Sequence, residues 1–103
     1  MQKVVEFKRI IQSYPTCYDF GEIYSSLTQD PPHIVVDYTL ADCFLFWSSR
    51  LCIPKTSLRD HMVWELHAGG GVGHEKRDKT ILMVEDRFYW LRVKGDVVRV
   101  VFH

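Results

Sequence analysis

Two histidines, His67 and His74, stand seven residues apart on either side of the run Gly69-Gly70-Gly71-Val72-Gly73. Neutral imidazole is a common zinc ligand, and a glycine-rich loop can turn two such rings toward one point. A structural zinc takes four ligands in a tetrahedron, and this pair supplies two. The other histidines offer less, with His33 in a proline-flanked loop, His61 on the outward side of a helical stretch and His103 at the last position. Cys17, Cys43 and Cys52 are widely spaced and contain no Cys-x-x-Cys. That pattern argues against a disulfide framework and for reducing surroundings. Catalysis finds little support. Ser57 or Cys52 could be set against His61 as nucleophile and base, but nothing places a third, orienting group. The glycine run also lacks the Lys-Ser/Thr that completes a phosphate-binding loop. The expectation is a chain with no enzymatic activity and no small-molecule substrate.

The elements that must position the histidine pair can be read from periodicity. Leu58, Met62 and Leu66, with Val63 beside them, form an apolar stripe at helical spacing. Thr56 or Ser57 can cap that helix, which runs to about His67 and is ended by the glycines. A further helix is predicted over residues 77–86, with Ile81, Val84 and then Phe88 on one side. The tail from Leu91 to Phe102 places Leu91, Val97, Val98 and Val101 in helical register, although its valines suit a strand as well. Between them Phe88-Tyr89-Trp90 is too bulky and apolar to stay in water.

Upstream, Val4, Phe7, Ile11 and Tyr14 predict a helix over 3–13 that stops before Pro15. Asp19 with Glu22 resembles a capping box for a second helix over 19–27, whose buried face would be Phe20, Ile23, Tyr24 and Leu27. Thr28-Gln29-Asp30-Pro31-Pro32 breaks the pattern. The period then changes. Ile34-Val35-Val36 is rich in β-branched residues, and 43–47 and 50–53 read as two strands joined by Ser48-Ser49. Phe44 and Phe46 would share a face with Leu51 and Ile53. Cys43 and Cys52 would sit on those strands as small buried apolar groups. The fold class expected is α+β and mostly helical: a helical segment over 1–33, then over 34–103 a short β-hairpin followed by three helices.

The totals exclude other classes. Lys plus Arg equals Asp plus Glu at 13 each, so there is no bulk attraction to nucleic acid or to an anionic membrane, although a local patch remains open. No apolar run approaches the roughly 18–20 residues of a membrane span, and the charged start is unlike a signal peptide. No membrane partner is expected.

A set of motifs is similar to a known family. Arg50-Leu51-Cys52-Ile53-Pro54, Leu58-Arg59-Asp60 and Glu65-Leu66-His67-Ala68-Gly69-Gly70 come first, followed in register by His74 and Arg77-Asp78-Lys79-Thr80. Val84-Glu85-Asp86-Arg87-Phe88-Tyr89-Trp90 and Asp96-Val97 continue it. Together these resemble the integrase region of plant gypsy-like long-terminal-repeat retrotransposon polyproteins, from about Leu40 to Val101. Asp19-Phe20-Gly21-Glu22-Ile23 looks like the segment joining the ribonuclease H part of such polyproteins to the integrase. The resemblance implies a small helical, helix-turn-helix-like zinc-binding domain in which two histidines and a Cys-x-x-Cys hold one zinc. Carried over, His67 and His74 match the two histidines, and the cysteines would fall just beyond His103. The result would be a truncated domain with half a zinc site. Four positions depart from the family: Glu75-Lys76 replace its usual Phe-Gly, Leu91 replaces a proline, and Cys43 stands where glycine is common. The catalytic domain with its acidic triad would lie further downstream.

The function this implies is a fragment of an integrase zinc-binding domain that supports self-association and the holding of DNA ends during DNA integration. Other integrase chains or a second copy would be its protein partners, and its site of action intracellular and nuclear. Arg77, Lys79, Arg87, Arg92 and Lys94 are candidates to meet phosphates, interleaved with Asp78, Glu85 and Asp86. The competing reading is a degenerate structural or protein-interaction module without metal or DNA binding, its aromatics serving a core or dimer face.

Overall fold

Pro15 stops the first helix, α1 (Gln2–Ser13), and Gly21 opens the second, α2 (Gly21–Thr28). In the computed structural model residues 2–68 and 74–101 are described, with side chains over 8–68 and 78–101. The Gly21 N–H donates to the Cys17 carbonyl at 2.8 Å, and a Cβ at Gly21 would meet the Pro15 carbonyl oxygen at 3.0 Å. The chain folds back here because glycine permits the close approach. The expected capping box is not formed. Phe20 occupies the N-cap of α2 with no side-chain cap bond, and Asp19 instead reaches Arg59. On α1 the fully buried residue among the described side chains is Ile10 and Ile11 is half-buried, while Tyr14 is fully buried in the turn that follows; Val4 and Phe7 lie outside the described side chains.

A four-stranded sheet follows where one hairpin was expected. β1 (Tyr38–Ala41), β2 (Phe44–Trp47) and β3 (Arg50–Cys52) form an antiparallel meander, and β4 (Phe88–Tyr89) adds parallel to β3. The β-rich Ile34-Val35-Val36 is not a strand: the Tyr38 N–H closes a turn onto the Val35 carbonyl, and Asp37 adopts φ 70°. Both meander turns are two residues long and left-handed at both positions, Asp42 and Cys43 at φ 53° and 71°, Ser48 and Ser49 at 47° and 75°. Positive φ at both central residues is the type I′ pattern, whose twist matches that of the strands. Cys43 is therefore an exposed turn residue and not a buried strand residue. Its conformation is one that favours glycine, the residue common there in the resembling family. Phe46 does pair with Leu51, as the hairpin reading required.

The core lies against the sheet face formed by Tyr38, Leu40, Leu45, Trp47, Cys52 and Tyr89, which the strand registers place on one side. Tyr14 and Phe20 from the N-terminal helices join it, as do Ile53, Leu58, Val63, Val84, Trp90 and Val97. The predicted helices after the sheet are α3 (Leu58–Ala68), α4 (His74–Arg87) and α5 (Val93–Val101), packed pairwise against one another. Thr56 caps α3, its hydroxyl accepting from the Leu58 N–H at 3.2 Å. On α5 the buried residue is Val97, and Leu91 is exposed rather than part of a buried stripe. Trp90 to Val93 forms a turn closed by the Val93 N–H on the Trp90 carbonyl, with Arg92 at φ 67°.

Candidate metal site and its supporting network

The helix ends that carry the histidine pair are adjacent in the chain: His67 lies in the last turn of α3 and His74 is the first residue of α4. His67 is half-buried, and its Nδ1 lies 3.1 Å from the Thr80 hydroxyl, two turns into α4. Trp64 leans against the same imidazole, ring centroids 5.7 Å apart. A hydroxyl against one ring nitrogen can donate or accept, so the contact serves either tautomer while holding the plane of the ring, as the outer partners of metal-binding histidines do. Thr80 is itself fully buried, so this contact also ties α3 to α4 with or without an ion. The glycine run and the side chain of His74 lie outside the described residues.

The donor set among the described residues does not complete a zinc site. Among the described residues no group of three or more His, Cys, Asp and Glu side chains is placed to hold a metal ion. The three free thiols belong to the sheet and the segment before α2. Cys17 Sγ accepts from the Lys55 N–H at 3.4 Å, Cys43 sits in the first meander turn, and Cys52 is buried under Tyr14. Burial pushes the Cys52 thiol up to about 12, which keeps it protonated and disqualifies it as a nucleophile or a ligand at neutral pH.

What most of the singled-out motif residues do is hold the helices and the sheet together. Arg59 is buried, yet its Nε donates to the Ile53 carbonyl at 2.9 Å and its Nη2 to the Asp19 carboxylate at 3.0 Å. Its guanidinium also lies over the Trp90 ring, 5.4 Å from the centroid. Trp90 in turn donates its indole N–H to Asp96 at 2.8 Å. Asp60 pairs with Arg99 at 2.6 Å across the α3–α5 surface. Sequence reasoning had not assigned a role to Arg59; a lone arginine inside an otherwise apolar stripe was the signal available.

The phosphate candidates lie on three successive elements. Lys79 and Arg87 are exposed on α4, Arg92 is exposed in the turn after β4, and Lys94 is exposed at the start of α5. Asp78 and Asp86 are exposed on α4 beside them, and the side chain of Arg77 lies outside the described residues. No helix among the described residues is long and apolar enough to cross a membrane.

The three packed helices carry a histidine at each side of the α3–α4 connection and are braced by an Arg–Trp–Asp network. Residues 54–102, a little under half of the chain, match the family model of the integrase zinc binding domain. No curated protein and no solved structure matches the chain.

Proposed function

We propose that the chain is the zinc-binding-domain region of a retrotransposon integrase of the plant gypsy-like type, serving self-association and DNA-end holding and performing no chemistry itself. The observation that carries this reading is the coincidence of the family match with α3, α4 and α5, the match enclosing both His67 and His74. The anchoring of His67 by Thr80 supports it, because such a ring is already oriented for a metal. Two imidazoles forgo much of the roughly 10–16 kcal/mol that complete structural zinc sites contribute, so zinc would need two further ligands from outside the described residues. Lys79, Arg87, Arg92 and Lys94 would meet phosphates, within a nuclear setting.

Zinc titration of the full chain, followed by circular dichroism and thermal melting, tests the metal part. Weak binding that is abolished in His67→Ala supports a half-site. A melting temperature indifferent to zinc at every concentration, with no binding by calorimetry, overturns it for this chain. Fluorescence anisotropy with a DNA duplex at several salt concentrations tests the rest: a salt-dependent affinity lowered by Lys79→Ala and Arg87→Ala supports DNA contact, and no binding at low salt refutes it.

A further inference from the structure

The sheet has one open edge long enough to matter. Ala41 and Phe44 flank a two-residue turn, which makes them a hydrogen-bonded pair, and the Ser48 N–H to Asp37 carbonyl bond at 2.9 Å keeps the same alternation. The intervening even-numbered positions of β1 therefore direct their backbone groups away from β2. The Tyr38 N–H is taken up by the Val35 carbonyl, which leaves the Tyr38 carbonyl and both the N–H and C=O of Leu40 along the edge. Natural edges are blunted with proline, lysine or inward charges; Tyr38-Thr39-Leu40-Ala41 carries none of these. Beside it Ile34 is 92% and Val36 77% exposed, and a shallow hollow of about 350 Å³ is lined by Leu27, Pro32, Ile34 and Leu40.

We infer that β1 is a self-association edge whose occupant is β1 of a second copy of this chain, paired antiparallel about a two-fold axis. The geometry closes on itself. Leu40 opposite Leu40 of the second copy exchanges both N–H···O bonds, so each copy satisfies the groups the other leaves open. Thr39, exposed on the outer face, then faces Ala41 of the second copy. The acidic residues at the strand ends are compatible with this register. Asp37 falls opposite Cys43 and Asp42 opposite Tyr38, so no aspartate confronts another. The exposed Ile34 and Val36 lie beside the pairing strand and add apolar surface to a short ladder. Four residues per copy make a weak, concentration-dependent dimer, and the pairing uses neither histidine nor zinc.

Sedimentation velocity of the full chain over a wide concentration range, with chelator and with added zinc, tests the edge. A dimer whose affinity is the same with and without chelator is expected. Leu40→Pro removes the outward-pointing donor together with a side chain of the core face, and is expected to weaken the dimer at least tenfold. Because that variant could perturb folding, a charge exchange provides a second reading. Thr39→Lys with Ala41→Lys sets like charges opposite each other across the axis and dissociates the dimer, while Thr39→Lys with Ala41→Glu sets opposite charges there and restores it. A monomer at every concentration, or a dimer indifferent to both Leu40→Pro and the lysine pair, overturns the inference. So does a dimer that exists only with zinc, an outcome that leaves the metal reading standing.

Discussion

The hydroxyl of Tyr14 donates to the carbonyl oxygen of Cys52 at 2.7 Å while accepting from the Leu45 N–H at 3.2 Å. Leu45 and Cys52 are the next opposed positions of β2 and β3 beyond Phe46 and Leu51, where the meander register would set a direct strand-to-strand bond. A side chain from the turn after α1 thus completes the ladder from inside, and the sheet and the N-terminal segment share one hydrogen-bonded unit. The Tyr14 ring stacks on Tyr24, centroids 4.8 Å apart, which fixes the approach of the hydroxyl.

Tyr14→Phe keeps the ring and deletes the bridge, stranding a buried N–H and a buried carbonyl. A loss of about 1–3 kcal/mol is expected, read from urea denaturation of the variant against the natural chain. No change in midpoint would show that β2 and β3 close up to make the direct bond.

Alkaline pH should weaken the fold for a related reason. Burial raises Cys52 from its ordinary 9.0 to about 12 and lifts Tyr14 well above its ordinary 10.0. Both groups therefore lose their protons first in the unfolded chain, and above pH ~9 that state holds fewer protons than the native one. Their contribution is fully present below pH ~9 and is lost progressively as pH rises toward 12. Urea midpoints measured from pH 7 to 11 should fall, and less steeply in Tyr14→Phe and Cys52→Ala.

The two meander turns carry L-residues at left-handed positions. Replacing Ser49 (φ 75°) or Cys43 (φ 71°) by glycine removes a conformational cost of roughly 1–2 kcal/mol, partly offset by the greater freedom of glycine when unfolded. A net gain of about 0.5–1 kcal/mol per site is expected in thermal unfolding.

Gly95 calls for the opposite change. It lies within α5, and a Cβ there meets nothing within 4 Å. Gly95→Ala should stabilise the helix by about 0.5–1 kcal/mol, measurable as a raised melting temperature.

Asp19→Asn and Arg59→Met probe the cross-link between the N-terminal helices and α3. Each single change leaves a charged or polar partner in a poorly solvated place, at a cost of about 3 kcal/mol for Asp19→Asn, where Arg59 is only 6% exposed. The double variant should lose less than the sum of the two, a coupling that a double-mutant cycle measures directly.

How much of this could be read beforehand follows from range along the chain. Leu58, Met62 and Leu66 announce α3 because a helix is written in local spacing, and Ser48-Ser49 marks a turn because two β-rich runs flank it. β4 could not be read: two residues become a strand only because β3 lies beside them. Ile34-Val35-Val36 has a strand's β-branched composition, yet the turn at Asp37 diverts the chain before it can pair. Asp19 fits a capping box by sequence, but a buried arginine forty residues away competes for its carboxylate and wins. His67 was visible as a potential ligand; its partner Thr80 was not, because the contact depends on how α3 and α4 pack.

The segment matched by the family, 54–102, begins immediately after Ile53. A cut there would take β4 from β3, Arg59 from both Asp19 and the Ile53 carbonyl, and the Trp90 cluster from Phe20, whose ring lies against Tyr89 at 6.2 Å. α3 and α4 leave and re-enter the sheet through neighbouring parallel strands, while α5 follows the second of them, so helices and sheet are interlocked along the chain. Excising the similar piece would not isolate a self-sufficient unit; it would expose the apolar seam that the first fifty residues cover. In this chain the boundary drawn by likeness parts the two parallel strands of a sheet, and the portable fragment for any graft or fusion includes α1 and α2.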